Sequence, residues 1–163
     1  MRKLIILLVF AVACQVENME LTTFILVRHA EKADDGTKDP GLTEEGVQRS
    51  ENLLSLLNST DITAIYSTNY KRTRLTVEPL ADSKSLTIQT YDWKDPEAMI
   101  QKMIADYPGG TVVISGHSNT TPVLANILLG SDLFQQFDDA DYSNLLIITA
   151  SETGSGKLVH LSY

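Results

Sequence analysis

The stretch FILVRHAEK at residues 24–32 decides the fold of this chain. Its first four residues form a continuous apolar run of strand length, typical of a strand that is covered on both faces. Arg28 and His29 follow at the carboxyl end of that strand, where open parallel sheets bind ligands. An arginine presents a planar cationic fork to anionic oxygens, and a histidine can act as nucleophile, base or acid near neutral pH. The stretch therefore predicts an anion site at a strand end; a surface Arg-His pair in a loop is the alternative.

The rest of the chain alternates strand patterns with helix patterns. Further strands are expected at residues 64–66, 86–91, 111–115, 145–149 and 157–161. Helices are expected to start at Thr43, at a cap formed by residues 67–69, at Pro96 and at Asn119. Gly154-Ser155-Gly156 separates the last two strands and predicts a hairpin. The expected fold is α/β: a three-layer sandwich, a largely parallel sheet with helices on both faces and an antiparallel C-terminal hairpin.

The N-terminal residues are expected to lie outside this domain, which we place at residues 23–163. Residues 1–13 combine two basic residues with an apolar run too short to span a bilayer comfortably, which predicts a secretory signal peptide. Cys14 follows directly and resembles the lipidated cysteine of a bacterial lipobox. Residues 14–22 would then tether the domain to a membrane, as a periplasmic or cell-envelope lipoprotein. An ordinary cleaved signal and an uncleaved anchor are the alternatives.

The charge balance excludes some partners. The net charge is −8, and loss of residues 1–13 would remove two basic residues and no acidic one. So acidic a chain is not expected to bind nucleic acid or anionic lipid by general electrostatics. Any anion that it binds must be held by a local cluster of cations. Cys14 is the only cysteine, so no internal disulfide is expected.

Three strand ends carry the unusual polar residues. Arg28 and His29 follow the first strand, Arg72 lies one turn into the helix after the second, and His117 follows the fourth. The ends of parallel strands meet at one edge of a sheet, so these side chains should converge. Phosphoryl transfer needs such a set: cations for the phosphoryl oxygens, an in-line nucleophile and a proton donor. No histidine–carboxylate cluster has metal-ligand spacing, so neither a metal nor another cofactor is expected.

Four sequence blocks in this order resemble the histidine phosphatase (phosphoglycerate mutase-like) superfamily. They are RHAEK at 28–32, LTEEG at 42–46, Ser67 with RTRLT at 72–76, and GHS at 116–118. The resemblance extends from Phe24 to the end of the chain and implies hydrolysis of phosphomonoesters through a phosphohistidine. It implies that His29 is the nucleophile and that His117 binds the phosphate and stabilises the transition state.

The resemblance also assigns the phosphate clamp, and it leaves the general acid open. Arg28 and Arg72 would hold the phosphate. Larger members supply a glutamate from an insertion after the third strand, where this chain has only YDWKD at 91–95. Asp92 is the candidate acid there, and a solvated loop aspartate is the alternative. Lys32 could reach a substrate anion or could pair with Glu31.

The chain lacks an insertion long enough to form a lid over the site. An open site suits bulky or varied substrates better than a mutase intermediate that must be enclosed. Small members of the family include phosphohistidine protein phosphatases and phosphatases of lipopolysaccharide core sugars. Export favours a phosphorylated small molecule, sugar or lipopolysaccharide as the substrate.

Two other functions compete with this interpretation. GHSNT at residues 116–120 nearly matches a serine-hydrolase nucleophile elbow, with Ser118 as nucleophile and Asp141 and His160 following in the required order. Thr120 stands where the elbow needs a small residue, and an esterase would leave Arg28 and His29 unexplained. A non-catalytic phosphate-binding lipoprotein is the second competitor.

Overall fold

A computed structural model describes residues 20–163 of the chain. The expected signal peptide at 1–13, the lipidation site Cys14 and most of the tether at 14–22 lie outside the described residues. Over the described range, no helix is both long and apolar enough to cross a bilayer.

Strands and helices alternate along the described chain in the predicted order. The strands are β1 (Thr22–Arg28), β2 (Ala64–Ser67), β3 (Ile88–Thr90), β4 (Thr111–Gly116), β5 (Asn144–Ala150) and β6 (Lys157–Ser162). The helices are α1 (Glu44–Leu57), α2 (Lys71–Lys84), α3 (Pro96–Asp106) and α4 (Thr120–Leu129). The sheet order is β3-β2-β4-β1-β5-β6, with the first four strands parallel and the last two antiparallel. The predicted α/β sheet with a C-terminal hairpin is confirmed.

Strand β1 lies inside the sheet, between β4 and β5, and supplies side chains to two hydrophobic cores. Phe24 and Leu26 pack in the core beneath α3 and α4, whereas Ile25 and Val27 pack in the core beneath α1 and α2. None of the four is more than 2% exposed. The continuous apolar run therefore reflects a strand with helices on both faces, which confirms the three-layer prediction.

Two local predictions need correction. Helix α2 is capped by Tyr70 without a side-chain hydrogen bond, and not by residues 67–69. Ser67 ends β2 and donates its hydroxyl to the carbonyl of Thr68, while the hydroxyl of Thr68 is used by other side chains. Strand β3 covers only Ile88–Thr90, the three residues that pair with Ile65–Ser67 of β2. By contrast, Thr43 caps α1 as predicted, its hydroxyl accepting a hydrogen bond from the amide of Gly46.

The loop between α4 and β5 crosses the carboxyl edge of the parallel strands. Arg28 fastens it, because its guanidinium donates to the backbone carbonyls of Asp138 at 2.6 Å, Asp139 at 3.1 Å and Asp141 at 2.8 Å. The last residue of β1 thus places an acidic loop beside the strand ends that carry the predicted site.

Candidate active site

A cavity of about 370 Å³ opens at the carboxyl edge of the parallel strands. Five of the predicted site residues line it: Arg28, His29, Lys32, Arg72 and His117. The start of α4 forms part of the wall, where free backbone amides and the helix dipole favour a bound anion. The convergence expected from parallel strand ends is therefore present.

His29 is held with one ring nitrogen free. Its backbone amide donates to the carbonyl of Gly116 at 2.9 Å, which joins the ends of β1 and β4. Its Nδ1 lies 2.8 Å from the carbonyl oxygen of Ala30. A carbonyl oxygen only accepts, so Nδ1 carries the proton and Nε2 keeps its lone pair. The backbone thus fixes the tautomer that a nucleophilic histidine requires.

His117 contacts His29 edge-on, with ring centroids 5.4 Å apart. Its Nε2 lies 2.9 Å from the hydroxyl of Thr68, and that hydroxyl donates to Oγ1 of Thr73 at 3.0 Å. The single hydroxyl hydrogen of Thr68 is therefore used, and Nε2 of His117 donates to Thr68. Thr73 thus anchors the hydroxyl that orients His117.

The site keeps both histidines neutral. Burial is the largest cause and lowers the pKa of His29 to about 4, with further lowering by His117, Arg28 and Arg72. Burial followed by the charges of Arg72 and Arg28 lowers the pKa of His117 to about 4 as well. At neutral pH both imidazoles are therefore uncharged, because burial and the two guanidinium groups beside them both disfavour protonation.

The two arginines are held differently. Arg28 is tied to the loop carbonyls and lies 4.1 Å over the ring of Tyr142. Arg72 lies 4.5 Å over the ring of Tyr70, with Asp39 at 3.7 Å from its Nη1. Nε of each arginine is buried and has no hydrogen-bond partner within residues 20–163. Both guanidinium groups thus retain donor capacity beside the cavity.

Of the other predicted site residues, Lys32 lines the cavity of His29 and Asp92 does not. Lys32 is exposed and lines the cavity, while the carboxylate of Glu31 binds Arg49, at 2.6 Å from its Nη2. Asp92 lies in a neighbouring depression, with Lys94 at 3.3 Å, and does not line the cavity of His29. No group of three or more His, Cys, Asp or Glu side chains in the described part of the chain is arranged to hold a metal ion.

Asp139 is the carboxylate that does line the cavity, and the sequence analysis missed it. Its Oδ1 lies 3.8 Å from Arg28 Nη2 and accepts a hydrogen bond from the hydroxyl of Ser118 at 3.2 Å. The acidic run at 138–141 was the available signal, but a loop has no periodicity that would place it over the site.

The serine-hydrolase arrangement is not assembled. Ser118 pairs with Asp139, whereas Nε2 of His160 pairs with Oδ1 of Asn144 at 2.8 Å. The carboxylate of Asp141 is occupied by Ser143 and Asn144. Two strands separate β6 from β4, so about three inter-strand spacings of roughly 4.8 Å lie between the elements that carry the histidine and the serine.

Comparison with known proteins finds one matching family model. The model of the histidine phosphatase superfamily (branch 1) matches residues 24–93, which include Arg28, His29 and Arg72. Over these residues the chain is similar to this superfamily. No curated protein matches the sequence.

Several solved structures of phosphatases share the fold. The protein histidine phosphatase SixA in complex with tungstate is 19% identical with a TM-score of 0.71, over 86% of this chain and 96% of that one. A phosphoserine phosphatase mutant from Entamoeba histolytica, bound to phosphoserine, is 13% identical with a TM-score of 0.70, over 86% and 96%. A mycobacterial glucosyl-3-phosphoglycerate phosphatase is 13% identical with a TM-score of 0.68, over 88% and 99%. At these identities the likeness shows a shared fold.

Proposed function

We propose that this protein is a histidine phosphatase and hydrolyses phosphomonoesters of small molecules through a phosphohistidine on His29, without a metal ion. One observation carries the proposal: a neutral His29 with a free Nε2 lies beside Arg28, Arg72 and His117 in one open cavity. Those groups match the nucleophile and the cations that phosphoryl transfer requires.

In the first step Nε2 of His29 attacks phosphorus, and the bond from phosphorus to the alcohol oxygen breaks. The leaving oxygen takes a proton and departs as the alcohol. Arg28, Arg72 and the amides at the start of α4 stabilise the negative charge on the equatorial phosphoryl oxygens. Nδ1 of His29 keeps its proton, so the hydrogen bond to Ala30 strengthens as the ring becomes cationic.

In the second step a water molecule attacks phosphorus on the phosphohistidine, and the bond between phosphorus and Nε2 breaks. The water gives a proton to the group that protonated the alcohol, and inorganic phosphate leaves. Donor and acceptor are thus regenerated after each turnover. The open cavity admits water to this intermediate, which favours hydrolysis over transfer.

The proton donor has two candidates, and we favour Asp139. It lines the cavity of His29, whereas Asp92 lies in the neighbouring depression. Asp139→Asn should slow turnover of an alkyl phosphate about 100-fold, because an alkoxide needs a proton to leave. The same variant should leave the pre-steady-state release of p-nitrophenolate nearly unchanged, because p-nitrophenolate leaves without a proton and this release precedes the attack of water. Asp92→Asn is the comparison variant, and a selective loss there would restore Asp92 as the acid.

Metal independence rests on the charges already in the site. Two guanidinium groups beside the cavity supply positive charge that a metal would otherwise contribute. Activity should therefore survive dialysis against a chelator. Loss of activity that returns with a divalent cation would contradict this part of the proposal.

The proposed location rests on the sequence alone. We propose export with lipidation at Cys14, because a basic start and a short apolar run precede this cysteine. The substrate would then be a phosphorylated small molecule of the cell envelope. The likeness in fold to phosphatases of phosphoserine and glucosyl-3-phosphoglycerate supports a small phosphomonoester.

The decisive experiment combines a variant of His29 with chemical quenching that captures the phosphorylated enzyme. His29→Ala should abolish phosphatase turnover while leaving the fold intact by circular dichroism. The unaltered enzyme, quenched in alkali, should carry an acid-labile, alkali-stable phosphoryl group. A protein that binds phosphate but never turns over would be the non-catalytic alternative. Ser118→Ala should keep most phosphatase activity, and an esterase that loses activity with Ser118 would overturn the proposal.

A further inference from the structure

A second cavity adjoins the phosphate site and differs from it in chemistry. This Trp93 groove, of about 410 Å³, lies between the β3–α3 loop and α4. It is lined chiefly by apolar side chains: Trp93, Pro96, Val123 and Leu124, with Lys94 at its rim. Trp93 is 54% exposed and Val123 is 45% exposed. Such an apolar surface beside a polar site is characteristic of ligand pockets.

The groove is continuous with the cavity of His29. Trp93, Asn119 and Thr120 line both. A phosphoryl group held by Arg28 and Arg72 would therefore lie next to an apolar continuation of its own cavity. The alcohol part of the ester, which is the leaving group, would then fill the groove.

We propose that the Trp93 groove binds the leaving group of the substrate, and that the preferred substrate is a phosphate ester of an apolar, ring-bearing alcohol. The proposal rests on the proposed phosphatase function and adds the substrate class to it. An exposed tryptophan face stacks on aromatic rings and gains from burying them. The hydroxyl groups of a sugar would have few partners against Pro96, Val123 and Leu124, and their desolvation would oppose binding.

The test compares two substrates that release the same kind of alcohol. Both 2-phenylethyl phosphate and glucose 6-phosphate are esters of primary alcohols, so leaving-group ability does not separate them. With the full chain, kcat/KM should be higher for 2-phenylethyl phosphate by about tenfold or more, since filling an apolar pocket is worth that much. Equal values, or a preference for the sugar phosphate, would overturn the proposal.

A matched pair of variants assigns the preference to the groove. Val123→Ser places a hydroxyl in it and should reduce the preference severalfold, chiefly by lowering kcat/KM for 2-phenylethyl phosphate. Val47→Ser makes the same change on α1, where Val47 is 52% exposed and lines neither cavity. It should leave the preference intact. A preference that survives Val123→Ser, or that Val47→Ser removes equally, would contradict the assignment.

A binding measurement separates this inference from the proposed function. Phosphonates are not hydrolysed, so calorimetry with 2-phenylethyl phosphonate and ethyl phosphonate tests the groove even if no ester is turned over. Tighter binding of the phenylethyl compound, lost in Val123→Ser, supports the groove whatever the fate of His29. Equal binding of the two would overturn it.

Free phosphotyrosine and a short phosphotyrosine peptide present the same aromatic leaving group, once as a small molecule and once as part of a polypeptide. Each should be turned over faster than its phosphoserine counterpart, the free amino acid or the matching peptide. If Val123→Ser reduces that difference, the result supports a ring-bearing leaving group. Their ratio then identifies whether the ring arrives as a small molecule or within a chain. If neither is preferred to phosphoserine, the proposal is wrong.

Discussion

At the scale of single residues, the site depends on two histidines that remain neutral between two arginines. A histidine beside a carboxylate gains a proton easily, but no carboxylate accepts a hydrogen bond from either ring in the described structure. His29 pairs with a carbonyl and His117 with a hydroxyl. Burial and the nearby guanidinium groups then lower both pKa values to about 4. The arrangement favours a nucleophile that is ready at neutral pH without a base to deprotonate it.

The lowered pKa values predict a pH-dependent stability. In the unfolded chain both histidines take up protons as the pH falls through about 6.5, whereas in the folded protein they resist until about 4. The unfolded state therefore binds more protons in this window, and the free energy of unfolding falls as the pH is lowered from 6.5 towards 4. Chemical denaturation between pH 7 and 5 should show this fall, and replacing one of the two by Asn should remove about half of the slope. A flat profile would contradict neutral buried histidines.

The arginines should not tolerate lysine. Arg72→Lys loses the planar fork, and loss of one oriented, desolvated contact costs about 100-fold or more in rate. Arg28→Lys should lose activity and also loosen the loop whose three carbonyls Arg28 holds, which proteolysis of that loop would report. Arg74→Lys is the matched control, because Arg74 lies outside the cavity, near Thr90. Wild-type kinetics in Arg72→Lys would remove Arg72 from the phosphate site.

How far the sequence could predict this site depends on where each residue lies. Arg28, His29 and His117 follow buried strands, so parallel topology alone predicts that they converge. Asp139 comes from a loop whose path is set by hydrogen bonds to Arg28, and no periodic pattern encodes such a path. The sequence predicts Thr68 as part of a helix cap, because threonine caps helices commonly, but its hydroxyl contacts His117 and Thr73 instead.

At the scale of elements, the end of β1 is held against the start of α1 by a close contact at Gly46. A Cβ at this position would lie 2.4 Å from the carbonyl oxygen of Glu31, two residues after His29. The amide of Thr43 donates to the same carbonyl at 2.9 Å. Helix α1 can therefore approach the segment that carries the nucleophile only because this helical position has no side chain.

This contact reverses the usual effect of a glycine-to-alanine change. In a helix, alanine is normally more stable than glycine by about 1 kcal/mol. Gly46→Ala should instead destabilise the protein by about 1–3 kcal/mol, the cost of overpacking, and should lower kcat by shifting Glu31 and His29. Denaturant unfolding and kinetics together measure both effects.

Gly41→Ala provides the control for that prediction. Its added Cβ would meet only Cδ1 of Leu75, at an ordinary 3.7 Å, so stability and turnover should stay close to wild type. Stabilisation of the protein by Gly46→Ala would show that α1 moves freely relative to β1.

Element types followed from the sequence more reliably than element ends. Strands buried on both faces, such as β1 and β4, show continuous apolar runs that identify them as strands, and the run of β4 also predicts its bounds to within one residue. The edge strand β3 has only one neighbour, and its predicted range at 86–91 exceeds the three residues that pair. Pairing with β2 sets the length of β3, and local strand propensity carries no information about that pairing.

At the scale of the whole molecule, the start of β1 and the active cavity lie at opposite edges of the sheet. Strand β1 begins at Thr22 and ends at Arg28, so roughly 20 Å of strand separates the entry point from the active cavity. The groove of Trp93 lies on the same side as the cavity. A membrane attachment before β1 would therefore leave both open to soluble substrates.

This geometry predicts that lipidation at Cys14 controls location and not chemistry. Cys14→Ser should move the protein from the detergent phase to the aqueous phase in a detergent partition assay, and should abolish metabolic labelling with a fatty acid. The value of kcat/KM for a soluble phosphomonoester should stay unchanged, because the first described strand begins at the edge of the sheet opposite His29 and Arg72. If the Cys14→Ser variant stays in the detergent phase, the protein is held by an uncleaved anchor and not by a lipid on Cys14. If kcat/KM falls with release from the membrane, the segment before β1 contributes to the site, contrary to the separation of the two edges.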